Sequence, residues 1–143
     1  KIGSDTGSVS GATNMTGGAG ADTFWTGKGY RGDHSSGANQ LQINDFTSGV
    51  DHIRFGIATT ATAPTTLDTT AVYGGDTLAM VLDRAASGSG SPTAPTISQF
   101  VFGADTYLVL DLSTATTFSA GDLAIKLTGT PGVALSDLVF NLV

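Results

Sequence analysis

The 143-residue sequence contains no cysteine, which excludes disulfide bonds, zinc–thiolate sites and cysteine nucleophiles. It has only six lysines and arginines against twelve acidic residues, for a formal net charge of −6. Because phosphate contacts need clustered cations, this composition is a poor match for nucleic acids and for anionic membrane surfaces. No run of about eighteen apolar residues is present, so no membrane span is expected.

The sequence is rich in glycine, with 20 residues, and in threonine, alanine and serine. No segment keeps a 3.6-residue apolar period over a dozen residues, and short alternating runs predict an all-β domain instead. Two of these runs, 97–103 and 106–112, flank a short turn and predict an antiparallel pair. The runs at 41–46 and 52–55 are typical either of a hairpin or of two successive coils. Further strands are expected at 77–83, at 123–129 and near the apolar end of the chain.

The nine residues GGAGADTFW, 17–25, combine a turn with the start of a strand. Glycines allow a tight turn with positive φ. The carboxylate of Asp22 is then aimed back at the turn, and Phe24 points between two sheets. Calcium takes six to eight oxygen ligands, and turn carbonyls with one carboxylate supply about half of such a shell. The alternative is an ordinary glycine-rich turn that precedes a strand.

The same nine residues match every defined position of the nonapeptide repeat G-G-x-G-x-D-x-U-x of calcium-binding RTX proteins. INDFTSGVDHIRF, 43–55, resembles a segment that follows the last nonapeptides of serralysin-type proteases. The chain end, with TYLVLDL, DLAIKLTG and DLVFNLV, also resembles theirs. From residue 17 onward the chain therefore resembles the C-terminal region of RTX exoproteins. It departs from the family in having one intact repeat, since Thr13 and Arg31 stand where the flanking units would carry Asp.

The resemblance implies a parallel β-roll over 1–56 that folds on binding Ca²⁺ and continues into a sandwich-like sheet over 57–143, with both parts in one continuous domain. It implies a non-catalytic, secreted module that serves type I secretion and S-layer-like or adhesin-like surface assembly, with one or two bound ions. The metal ligands that the family pattern suggests are Asp22 and the turn backbone first, then two further aspartates: Gly17, Gly18, Ala19, Gly20, Asp22, Asp45 and Asp51.

Two other functions stay open on the sequence. The chain could be the calcium-stabilised tail of a secreted hydrolase whose catalytic domain lies upstream. It could also be a carbohydrate-binding or receptor-binding module that uses Trp25 and Tyr30, or the RGD tripeptide at 31–33. No nucleophile with an adjacent base is recognisable, and no catalytic residue is predicted. GKGYRG, 27–32, lacks the helical continuation that a dinucleotide site needs.

Overall fold

A computed structural model describes residues 2–4, 14–26 and 41–143 of the chain. Strands dominate the regular structure of this part, which confirms the all-β prediction at the level of fold class. The strands are β1 (Ile2–Ser4), β2 (Asn14–Met15), β3 (Thr23–Trp25), β4 (Leu41–Ile43), β5 (His52–Ile57), β6 (Asp68–Thr69), β7 (Thr96–Phe102), β8 (Asp105–Asp111), β9 (Leu123–Leu127) and β10 (Leu138–Leu142); the helices are α1 (Leu78–Ala85) and a short 3₁₀ turn (Leu135–Asp137).

The strands form two sheets. The four-stranded sheet has the order β1-β3-β5-β10 and is parallel throughout. The six-stranded sheet has the order β2-β4-β9-β8-β7-β6; β2, β4 and β9 are parallel, and β9, β8 and β7 run antiparallel to one another. Strands β1 to β5 therefore alternate between the two sheets along the chain. Two open sheets are described, and a closed sheet or a regular solenoid is not shown.

Alternating side chains build the main core between the sheets. In β5, Ile53, Phe55 and Ile57 are buried, whereas the alternating His52 and Arg54 are exposed. Phe24 lies beside Ile53, as expected for a residue that points between the sheets, and the cluster takes residues from both sides of position 57. Each fully buried side chain of this size contributes roughly 1.5–3 kcal/mol to the free energy of unfolding.

The antiparallel pair predicted at 97–103 and 106–112 is confirmed as β7 and β8, paired from Thr96–Asp111 to Phe102–Asp105. Gly103 and Ala104 form the two-residue turn between them. Gly103 has a φ of +63°, as a type II′ turn requires at its first central position. The strand expected at 123–129 is confirmed as β9, and β10 ends the chain.

The strand predicted at 77–83 is wrong, because this segment forms α1. The Thr77 side chain caps the helix by accepting a hydrogen bond from the amide of Met80. Leu78, Val81, Leu82 and Ala85 follow at the i, i+3, i+4 and i+7 positions of one helical face, which covers the outer side of the six-stranded sheet. A helix of eight residues is too short to show this period over a twelve-residue window.

The hairpin considered for residues 41–55 is also wrong, since β4 and β5 lie in different sheets. The chain crosses from one sheet to the other between them, as the alternative of successive coils required. In the part of the chain that the structure describes, no helix is long and apolar enough to cross a membrane.

Candidate functional site

Three turns lie side by side at one end of the two sheets. The first turn, 16–22, joins β2 to β3; the second turn, 44–51, joins β4 to β5; the third turn, 128–137, joins β9 to β10. Each runs from the six-stranded to the four-stranded sheet. Because β2, β4 and β9 are parallel neighbours, and so are β3, β5 and β10, the three turns are stacked in this order.

The first turn contains the GGAGAD residues, and its conformation depends on glycine. Gly18 and Gly20 have φ values of +92° and +113°, in a region that other residues rarely adopt. Asp22 is 3 % exposed. A Cβ atom on Gly17 would lie 2.5 Å from Oδ2 of Asp22, so the carboxylate occupies the space that a side chain at position 17 would fill. The carboxylate is therefore folded back onto its own turn, as predicted.

Asp45 links the second turn to the first. Its Oδ1 accepts a hydrogen bond of 2.9 Å from the amide of Gly17, and its Oδ2 accepts one of 2.8 Å from the amide of Gly18. Two consecutive amides near the start of the first turn are thus paired with one carboxylate from the next turn. An amide–carboxylate bond is stronger than a neutral one, so this contact holds the two turns in register.

Asp51 makes a second link between the same two turns from a more buried position, with 4 % of its surface exposed. Its Oδ1 accepts a 2.9 Å hydrogen bond from the buried amide of Asp22, and its Oδ2 accepts a 2.8 Å bond from the amide of Thr47 within its own turn. The amide of His52 in turn donates to the backbone oxygen of Asp22. Asp51 and Asp22 are therefore adjacent through the backbone of Asp22.

Asp137, which the sequence analysis did not select, repeats this arrangement one turn further on. It accepts hydrogen bonds from the hydroxyl of Ser48 at 2.6 Å, from the amide of Gly49 at 2.9 Å, and from the amide of Ala134 in its own turn at 2.9 Å. Burial alone would raise the pKa of Asp137, but these hydrogen bonds and the nearby His52 outweigh it and lower that pKa. In the sequence, Asp137 stands directly before the residues that form β10, just as Asp22 and Asp51 stand directly before β3 and β5. This position is the signal by which Asp137 could have been found.

The first residues of the three turns form a further polar ladder. The side-chain amide of Asn44 donates to Oγ1 of Thr16 at 3.0 Å, and Oγ1 of Thr128 approaches Oδ1 of Asn44 at 3.4 Å. Backbone bonds run in the same direction, from Asn44 to Met15 and from Thr128 to Ile43. Equivalent positions of the three turns are thus in contact from one coil to the next.

The donor set available to a cation follows from these contacts. Among the residues described, no group of three or more histidine or acidic side chains lies close enough together to hold a metal ion. Both oxygens of Asp45 and of Asp51 accept backbone amides. Asp22, folded against Gly17, is the carboxylate that shares a turn with the carbonyls of residues 17–20. One carboxylate with several carbonyls is a donor set that fits calcium, since Ca²⁺ takes both kinds of oxygen.

The other sequence candidates are placed as follows. Tyr30, the RGD tripeptide at 31–33 and GKGYRG lie outside the described residues. Trp25 is half-buried on β3, and the guanidinium of Arg54 lies over its ring, 5.5 Å from the centroid. His52 is exposed.

Comparison with known proteins adds no assignment. No protein-family model matches the chain, and a search of curated proteins gives no matching sequence.

Proposed function

We propose that this chain is a non-catalytic, calcium-stabilised C-terminal module of an exported RTX-like protein. Its parallel part would be a short β-roll, and its roles would be folding after export, type I secretion and surface assembly. The resemblance of residues 17–25, 43–55 and the terminal strands to RTX exoproteins supports the export route. The stacked turns support the β-roll, because strands β1 to β5 alternate between two sheets and pair in parallel.

The observation that carries the calcium proposal is the contact between Asp22 and Gly17. Only glycine at position 17 leaves room for the Asp22 carboxylate within the turn. Asp22 is only 3 % exposed, and its carboxylate lies in the same turn as the carbonyls of residues 17–20, which are the two kinds of oxygen that Ca²⁺ takes. Asp22 and the carbonyls of residues 17–20 would hold the ion, while Asp45 and Asp51 would hold the turn in place through its amides.

Calcium would then act on the folding equilibrium. Ordering the glycine-rich turns costs roughly 1–2 kcal/mol per residue in backbone entropy. An ion that binds the folded state alone stabilises it by mass action, by about 2.7 kcal/mol when calcium exceeds the dissociation constant 100-fold. The module would be loosely ordered in a calcium-poor cytoplasm and would become stable outside the cell.

The test is thermal unfolding of the 143-residue chain with calcium and with EGTA, for the wild type and for Asp22→Asn. Calcium is expected to raise the wild-type Tm by roughly 5–10 °C, given about 2.7 kcal/mol and a chain of this size. Asp22→Asn removes the charge at nearly constant volume and is expected to lose most of that shift. Asp68→Asn is the matched control, because Asp68 is exposed on β6, at the far edge of the six-stranded sheet from β2.

A direct measurement covers the case in which Asp22→Asn fails to fold. Trp25, the single tryptophan, lies three residues after Asp22 and can sensitise terbium luminescence. Calcium-displaceable emission in the wild type is expected. The proposal is overturned if the Tm is the same with calcium and with EGTA and if no calcium-displaceable terbium emission is observed.

A further inference from the structure

A polar cleft lies on the opposite part of the molecule, between the C-terminal end of α1 and the edge of the six-stranded sheet. Its volume is about 250 Å³ and it opens to solvent. The edge strand β6, the start of β7, the last turn of α1 and the segment after α1 line it. This cleft shares no residue with the three stacked turns, so its function is independent of the calcium proposal.

The floor of the cleft is polar where the same sheet face is apolar elsewhere. Side chains of β7 alternate, so Thr96 and Ser98 face the same side as Phe100, which packs against α1. Asp68 pairs with Ser98 across β6 and β7 and stands on that face too. The apolar cover provided by α1 ends at Ala85, and hydroxyl and carboxylate groups continue the floor beyond it.

Ser98 is the residue that distinguishes this cleft from an ordinary polar sheet edge. It is 7 % exposed, and its Oγ atom is buried with no hydrogen-bond partner in the described part of the chain. A buried hydroxyl without a partner lowers stability, and alanine would avoid that loss at this position. A hydroxyl kept at the floor of a cleft therefore points to a ligand that bonds to it.

Arg84 forms a fixed wall of the cleft. Its Nη1 donates to the backbone oxygen of Ala71 and to Asp76, its Nη2 donates to Asp76 at 3.2 Å, and the ring of Tyr73 lies 4.7 Å from the guanidinium carbon. These bonds use three of the five N–H donors of a guanidinium, which leaves two for a ligand. The side chain is thus preorganised.

The charges and the lining select the class of ligand. Arg84 is neutralised by Asp76, and Asp68 adds a further negative charge, so an anion is disfavoured. The apolar lining consists of Ala71 and Ala85 alone, which disfavours an apolar ligand. The six remaining lining residues are all serines and threonines: Thr69, Thr70, Ser87, Ser89, Thr96 and Ser98.

We propose that this cleft binds one neutral sugar unit of a carbohydrate. A sugar carries hydroxyl groups that both donate and accept, as the lining does. The Ser98 hydroxyl and the remaining N–H groups of Arg84 donate to sugar oxygens, and Asp68 accepts from a sugar hydroxyl. The volume lies just below the range of about 300–1,000 Å³ typical of pockets for drug-sized ligands, which suits a single ring rather than a long oligosaccharide.

The test is a two-dimensional NMR titration of the 143-residue chain in calcium-containing buffer. The probes are glucose, galactose, mannose, N-acetylglucosamine and, separately, inorganic phosphate. At least one sugar is expected to shift the amides of Ala85, Thr96 and Ser98, and phosphate is expected to shift none of them. Ser98→Ala is expected to weaken that sugar about 3- to 10-fold, the effect of one lost hydrogen bond.

Two variants make the result decisive. Ser98→Val fills the floor and is expected to abolish the shifts, while Ser136→Ala, an exposed position in the third turn, leaves them unchanged. Ser98→Ala removes a buried hydroxyl and is expected to fold at least as stably as the wild type. The proposal is overturned if none of the sugars shifts these amides, if phosphate alone does, or if Ser98→Val binds as the wild type does.

Discussion

The parallel and antiparallel parts of the six-stranded sheet pair their buried backbone groups in different ways. In the parallel part, the carboxylates of Asp45 and Asp137 reach amides and hydroxyls that are 28 and 89 residues away in sequence. In the antiparallel part, β7 to β9, Asp122 accepts from Ser119 and Leu112, at separations of three and ten residues. Buried backbone groups must be paired in both parts, but the partners come from different distances along the chain.

The difference follows from strand direction. Antiparallel neighbours are joined by short turns that pair their own backbone groups, as Gly103 and Ala104 do between β7 and β8. Parallel neighbours belong to different coils, so the amides of one turn lie beside the next turn and find no hairpin partner. An aspartate in the next turn takes that place. The parallel part therefore depends on carboxylates that pair with the neighbouring turn, whereas Asp122 in the antiparallel part pairs with backbone groups three to ten residues away.

The largest expected effect comes from removing a long-range link. Asp51→Ala leaves the amides of Asp22 and Thr47 without their acceptor, one of them fully buried, and is expected to lower the free energy of unfolding by about 3–4 kcal/mol. Asp83→Ala on α1 loses a single partly buried bond, to the amide of Phe118, and is expected to cost about 1 kcal/mol. Urea denaturation measures both.

Hydrogen exchange shows which strands lose amide protection when Asp51 is replaced. Asp51→Ala is expected to reduce protection in β3 and β5 first, and to leave β7 and β8 protected at low denaturant. Equal losses from the two variants would contradict the expectation that the link which Asp51 makes between two turns contributes more stability than the single bond of Asp83.

A second prediction concerns glycines packed against carboxylates in each part. A Cβ atom on Gly90 would lie 2.6 Å from Cγ of Asp111 and closer still to its backbone oxygen. Because backbone cannot move aside, Gly90→Ala is expected to cost about 2–3 kcal/mol. The atoms nearest to a methyl group at Gly17 belong to the side chain of Asp22, so Gly17→Ala is expected to cost less stability than Gly90→Ala and to weaken the calcium response.

Gly132→Ala serves as the control for both, since nothing lies within 4 Å of its added methyl group. Thermal unfolding with and without calcium separates the two effects. A Gly17→Ala variant with an unchanged calcium shift would show that the fit of Asp22 against Gly17 does not matter for binding.

The smallest expected effect is on pH dependence, and its sign differs between the two parts. Burial raises the pKa of Asp111, with Asp122 beside it, so the stability from Asp111 is present below the ordinary aspartate pKa of about 3.9 and is lost as pH rises through its higher folded value. Asp137 has a lowered pKa, so its stability is present above about 3.9 and is lost as pH falls through its folded value.

Comparing Asp111→Asn and Asp137→Asn with the wild type across this pH range checks both signs. The wild type is expected to lose stability relative to Asp111→Asn as pH rises above about 4, and to lose stability relative to Asp137→Asn as pH falls below it. Difference profiles of the same sign would refute the contrast.

The strands that the sequence predicted well have clear local signals. The alternation in β5 determines which of its side chains face the core. The two runs on either side of Gly103 and Ala104 determine the turn between β7 and β8. Helix α1 was missed because its apolar face is two turns long, although Thr77 is a recognisable cap. The sheet that each strand joins was not predictable, since β4 and β5 are separated by a turn that reads equally as a hairpin.

The candidate site also has one part that the sequence predicted and another part that it did not. The position of Asp22 against Gly17 follows from nine consecutive residues, because a glycine-rich turn leaves one place for the carboxylate. The roles of the other aspartates depend on which coils are neighbours. Asp45 and Asp51 accept hydrogen bonds from amides of the first turn, and Asp137 accepts one from an amide of the second turn.

The sequence by itself determined the all-β character, the tight β7–β8 turn and the folded-back carboxylate of Asp22. These depend on backbone sterics and side-chain alternation within a few residues. Only the tertiary structure decided which turns are stacked, which aspartates hold them together, and that Ser98 lies buried at the floor of a cleft. Those outcomes require strands distant in sequence to become neighbours, and the free energy that selects neighbours comes from burying the shared core.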